Sequence, residues 1–249
     1  MEIDEYISQL TVVGGRMASA AALAGTGAFV PSCPEWQVAD LLRHTGGVHR
    51  WATSYVLTGR PGATSDEEDA EYFAEIPAAE LVEWFEEGHG QLVNALSEAP
   101  SGLSCWTFLP APSPLAFWAR RQAHETAIHC ADAELAAGLR PSLPAGFAAD
   151  GIDELLNGFF SRPKGRLKAD PPVSLAVSAT DTGEGWTIVI DVDRRRVTSG
   201  VAPAACTISG SASALYLLLW NRAPSGPVNV DGDRSVLQLW RDKARVTWS

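Results

Sequence analysis

The sequence predicts a helical N-terminal half folded as a four-helix bundle, followed by a smaller α+β domain. Three observations carry this. Apolar residues recur at helical spacing in four long segments of the first half. Loops rich in Gly, Pro and Ser separate those segments. Beyond about residue 140 the pattern changes to short strand-like runs joined by turns and followed by helices, the signature of an α+β unit. A chain of 249 residues suffices for two domains of ordinary size. The expected division is 1–140 for the bundle and 141–249 for the α+β domain.

The first helix spans Ile3 to Ala24, with Leu10, Val13, Met17 and Ala21 on one stripe. Gly25 to Glu35 reads as a loop, and a second helix runs from Pro34 or Glu35 to about Leu57, ended by Gly59-Arg60-Pro61-Gly62. The acidic run Asp66 to Glu71 is expected to be a mobile connector. Ala78 to Leu96 forms the third helix, with Leu81, Trp84, Phe85, Leu92 and Leu96 apolar; after a Pro-rich loop the fourth runs from Leu115 to Ala137 and stops at Gly138. Four helices joined by loops imply a bundle. In the second half, Ile152 to Phe160 is a short helix. Val173 to Thr180 and Trp186 to Val192 are strands joined by a hairpin at Asp181-Thr182-Gly183-Glu184-Gly185. Cys206 to Ser209 is a further strand, Ala212 to Asn221 and Arg234 to Asp242 are helices, and Arg245 to Trp248 returns as a short strand.

Composition narrows the function. A net charge of -11 argues against nucleic acid as a partner. The one tight basic cluster, Arg194 to Arg196, reads as a solvated hairpin end. The most apolar run, Leu215 to Trp220, is far too short to span a bilayer. Acidic Glu2, Asp4 and Glu5 stand where a signal peptide carries basic residues, so the expected location is cytoplasmic. Cys33, Cys105, Cys130 and Cys206 form no C-x-x-C pair and fit free thiols in a reducing compartment.

The chemistry is concentrated in three residues. Glu125 and His129 stand four apart on a predicted helix and so share a face with Trp118 and Gln122. That stripe is too polar for ordinary bundle core, because burying a carboxylate and an imidazole without partners is costly. On the second helix, Leu41, His44, Val48 and Trp51 share a face that is apolar apart from the histidine. Two ligands from one helix and one from a neighbour form a three-ligand site for a divalent cation, with a coordination position left open for chemistry. His124-Glu125 followed by His129 is not the protease motif H-E-x-x-H: His124 and His129 differ by five positions, about 140° around a helix. His124 is expected at a helix surface or interface. His49 and His89 are weaker candidates, His49 facing away toward a pocket rim.

These residues lie in recognisable motifs. Cys33-Pro34-Glu35-Trp36-Gln37-Val38-Ala39-Asp40-Leu41-Leu42-Arg43-His44 resembles the C-P-G-W-x-V-x-D-L-x-x-H segment of the mycothiol-dependent maleylpyruvate isomerase family, part of the DinB-like metal-binding four-helix superfamily. Arg120 to His129 is similar to its second signature, and Ala214 to Arg222 to the L-L-L-L-W-G-R helix of its C-terminal domain; Gly232-Asp233 also fits. Glu35 and Asn221 replace common glycines, and Cys130 and Ala131 occupy positions often filled by Arg and Trp.

The resemblance implies a DinB-like bundle with a C-terminal α+β domain. It implies metal ligands at His44, Glu125 and His129, usually holding zinc, with mycothiol as cosubstrate or cofactor. Arg222 matches a position by which the C-terminal domain contributes to the active site; Arg222 and Arg121 are candidates to hold carboxylates of thiol or substrate, in a cleft between the domains. The expected partners are a small electrophilic metabolite and a low-molecular-weight thiol, in a monomer or weak homodimer. Three functions fit: a cis–trans isomerase of a maleylpyruvate-like or other conjugated cis-enone, a mycothiol S-transferase, and a noncatalytic small-molecule-binding module.

Overall fold

The structure, a computed structural model, describes residues 1–73, 75–162, 165–222 and 227–246. The chain forms two compact units, Met1–Pro141 and Ser142–Ser249.

The first unit is a bundle of four long helices: α1 (Ile3–Ala24), α2 (Val38–Thr58), α4 (Leu81–Glu98) and α5 (Pro114–Ala136). α1 lies along α5, and α2 along α4. Ser113 caps α5 through Ala116 N–H, with Pro114 pre-set at the first helical position. Gln37 and Asp40 close a reciprocal cap on α2, and Gly59 ends that helix at φ 65°. Leu10, Val13, Met17, Leu41, Leu42, Phe85 and Leu92 are among the fully buried core residues.

Two elements differ from the sequence expectation. The segment read as loop and helix start forms a small antiparallel hairpin, β1 (Phe29–Val30) and β2 (Cys33–Gln37), so α2 begins only at Val38. The acidic connector contains a short helix, α3 (Asp66–Ala70), capped by Ser65 and tied down by paired Arg60–Glu68 contacts at 2.8 and 2.9 Å.

In the second unit, α6 (Ala145–Asp153) continues into a π-helical stretch, Glu154–Phe160. A five-stranded sheet follows in the order β5-β4-β3-β6-β7: β3 (Val173–Ala179), β4 (Gly185–Ile190), β5 (Arg195–Ser199), β6 (Cys206–Gly210) and β7 (Val228–Gly232). β3 and β6 are parallel and the other neighbours antiparallel. α7 (Ala212–Leu219) links β6 to β7, and α8 (Arg234–Lys243) follows β7. Trp240 of α8 is fully buried and donates to Leu219 O at 3.0 Å. β7 was not foreseen. The strand expected over Arg245 to Trp248 is absent at 245 and 246, and 247–248 lie outside the described residues. Arg195 is not a solvated hairpin residue: it is 4% exposed and donates to Phe160 O at 3.0 Å. Among the described residues, no helix is long and apolar enough to cross a membrane.

Candidate metal centre

α5 is buried almost all round. From Leu115 to Glu134 only Ala116 and Arg120 escape full burial, and Arg121, Gln122, His124, Glu125, Thr126, His129 and Asp132 are all enclosed. So many polar groups on one buried helix demand partners, and those partners define the site.

Glu125 and His129 stack one helical turn apart, and His44 reaches them from α2. Single ligand atoms of the three lie within 4.8 Å of one another. Glu125 Oε1 is the common vertex, 3.2 Å from His129 Nε2 and 3.6 Å from His44 Nε2. In a tetrahedral zinc site with bonds near 2.05 Å, neighbouring ligand atoms stand about 3.3 Å apart. The donor set and its spacing therefore fit a divalent cation.

The outer partners point the same way. Arg121 Nη2 donates to Glu125 Oε2 at 3.0 Å, leaving Oε1 for the shared vertex. Asp132 Oδ2 stands 3.1 Å from His129 Nδ1, which turns Nε2 inward. Ser32, from the β1–β2 turn, donates to the other oxygen of Asp132. Trp36 of the same hairpin flanks both imidazoles, with ring centroids 5.2 Å from His44 and 6.4 Å from His129. Phe73 lies 6.2 Å from the His44 ring.

Electrostatics follow from these contacts. Burial alone would raise the Glu125 pKa; hydrogen bonds from His129 and His44 and the charge of Arg121 outweigh it and hold the carboxyl well below the usual range. Burial opposes charge on His129, yet the hydrogen bonds to Asp132 and Glu125 push it up to about 9. Without metal, the cluster thus holds a proton on His129 between two carboxylates, a position a dication can take over. Beside it, burial and nearby Glu134 push the Cys130 thiol far up, so it stays protonated and unreactive.

The structure brings His44, Glu125 and His129 together. Arg121 is 1% exposed and grips Glu125, so the carboxylate it holds belongs to the chain itself. Arg222 lies in the second unit, its Nη1 donating to Trp220 O at 2.8 Å. His124 is not at a surface: it is fully buried, 6.2 Å from the Tyr6 ring of α1. His49 is not on a rim either; it is fully buried, with Nε2 2.8 Å from Thr126 Oγ1. Sequence reasoning missed Asp132, Ser32 and Trp36. Asp132 carried a signal, three residues after His129 and on the same face. Trp36 carried one as a fixed letter of the segment that ends at His44, whereas Ser32 carried none until the hairpin was seen.

Two family models match the chain. Residues 10–134 match the mycothiol maleylpyruvate isomerase N-terminal domain, and residues 146–239 match the MDMPI C-terminal domain. A crystal structure of a mycothiol-dependent maleylpyruvate isomerase aligns with TM-score 0.63 at 14% identity, and that of a single-site mutant with 0.64 at 13%, each covering 93% of both chains. At that identity the likeness speaks for the fold. No curated protein matches the chain.

Proposed function

Because this chain belongs to the mycothiol maleylpyruvate isomerase family, we propose that it is a metal- and mycothiol-dependent enzyme that isomerises a maleylpyruvate-like or other conjugated cis-enone. The observation that carries this reading is the convergence of His44, Glu125 and His129 around Glu125 Oε1. The proposed ion is zinc, suited to two imidazoles and one carboxylate. When bound, the cation supplies Lewis acidity that lowers the pKa of a thiol placed against it.

The chain's own residues set up the rest. Asp132 and Arg121 lock His129 and Glu125 in ligating orientation. Trp36 and Phe73 supply an apolar wall beside His44 that shields a nucleophile from water. The external sulfur adds to the β-carbon of the enone, a C–S bond forms, and the π pair moves onto the carbonyl oxygen. The former double bond is now single and rotates. Collapse of the enolate expels the thiolate and returns the trans isomer. The cysteines suit this division of labour, since none of the four forms a disulfide among the described residues and Cys130 stays protonated; a reducing, cytoplasmic setting suits them as well. Arg222 is proposed to hold a carboxylate of substrate or thiol.

A second reading differs only in outcome. If the enolate takes a proton before collapse, the product is a stable S-conjugate and the protein is an S-transferase; the same residues serve both. Mass spectrometry after incubation of metal-loaded protein with mycothiol and a cis-enone separates them. An isomer without mass gain is expected. A stable adduct means transferase, and unchanged substrate with one equivalent of metal bound overturns both.

A further inference from the structure

Gln122 is 1% exposed, yet its Oε1 has no hydrogen-bond partner among the described residues. As the amide is assigned, the orphan is an acceptor. A buried orphan of this kind carries its full desolvation penalty, and native proteins keep few of them without a reason. Its position supplies one. On α5, Gln122 stands one turn before Glu125 and two turns before His129, on the same stripe. α2 runs antiparallel alongside: His44 meets Glu125 and His129 at one level, and Trp51 meets Trp118 with ring centroids 5.2 Å apart at the next. Gln122 falls between these levels, with the polar centre on one side and aromatic rings on the other.

Resting on the function proposed above, we infer that Gln122 is a recognition residue for the low-molecular-weight thiol, accepting a hydrogen bond from an N–H or O–H a few bonds from its sulfur. Three residues of helix advance about 4.5 Å, so Gln122 lies within one helical turn of Glu125. The chemistry selects the thiol over the electrophile. A conjugated keto-acid anion presents oxygen acceptors, which the orphaned acceptor rejects; an amide or hydroxyl of the thiol presents the donor it lacks.

The test uses the full chain loaded with Co²⁺, titrated with N-acetylcysteinamide and with propanethiol while the sulfur-to-cobalt absorption band is followed. Wild type is expected to bind the amide-bearing thiol about tenfold more tightly, about 1.4 kcal/mol. In Gln122→Met the two thiols should bind within about a factor of two of each other, one hydrogen bond having gone. The metal-free melting temperature of Gln122→Met should equal or exceed that of wild type, because the orphaned amide is gone. Gln122→Asn, which withdraws the acceptor by one methylene, should also lose the preference and decides the matter if the Met variant does not fold. An unchanged preference in the variants overturns the role of Gln122 alone. If neither thiol alters the cobalt spectrum of wild type, the functional reading falls and this inference with it.

Discussion

Acidification should loosen the bundle through a pair of histidines that take no part in the proposed chemistry. His49 of α2 and His89 of α4 lie deep in the first unit with ring centroids 5.3 Å apart, and the Nδ1 of each has no partner among the described residues. Burial, the neighbouring His89, and the charges of Arg50 and His129 hold His49 well below its ordinary pKa of 6.5, against a smaller pull from Glu125. Burial likewise lowers His89, partly offset by a main-chain hydrogen bond at Thr11. Protonating both would set two charges 5.3 Å apart, a repulsion of roughly 3 kcal/mol at an effective dielectric of 20. Each therefore resists protonation in the fold, while the unfolded chain takes up protons as pH falls below 6.5. With more protons bound in the unfolded state, stability falls with falling pH. From pH 7 to 5.5, a histidine that remains neutral throughout costs about 1.2 kcal/mol, and the pair up to about 2.5 kcal/mol. Urea unfolding of metal-free wild type and of His89→Gln at both pH values reads the effect of the pair, because the variant loses both His89 and its repulsion on His49. Wild type should lose about 1 kcal/mol more than the variant. Equal losses would refute the claim that His89 is held neutral by the fold.

Three further outcomes follow from the geometry. His44→Ala removes one of the three proposed ligands, and elemental analysis under metal-replete conditions should show bound metal falling from one equivalent to a small fraction. Asp132→Asn keeps the shape beside His129 but removes the charge, and should weaken metal binding by about 10- to 100-fold in chelator competition. Gly46→Ala would bring a methyl to 2.3 Å from the Trp84 ring, and should destabilise the protein by about 1–3 kcal/mol in denaturant unfolding.

Much of the fold was legible because the long helices have clean apolar stripes: the first was read with its observed limits, and the fourth to within a residue. The convergence of His44, Glu125 and His129 was legible for a related reason. Glu125 and His129 are four apart on one helix, and His44 interrupts an otherwise apolar face. What failed was any argument that assigned an outward side to α5. Of the two places expected for His124, surface or interface, only the interface with α1 holds, because α1, α2 and the hairpin enclose α5 on nearly every side; helical periodicity says nothing about how many neighbours a helix has. The hairpin was missed because Pro34 and Glu35 are acceptable at a helix start, whereas β1 is only two residues long and leaves almost no pattern. Asn221 is explained by its backbone: φ is 60°, a left-handed conformation that asparagine tolerates better than other side chains, and its Nδ2 donates to Ala244 O at 2.9 Å.

The enclosure of α5 also bears on how such a protein diversifies. Nearly every substitution on that rod disturbs either the interior or the His44–Glu125–His129 cluster, so drift there is costly in all directions. The β1–β2 ribbon and the segment bearing Phe73 face the same centre with far fewer obligations. New substrates should therefore be acquired by rewriting those two short stretches, while the rod beneath them is inherited almost unaltered.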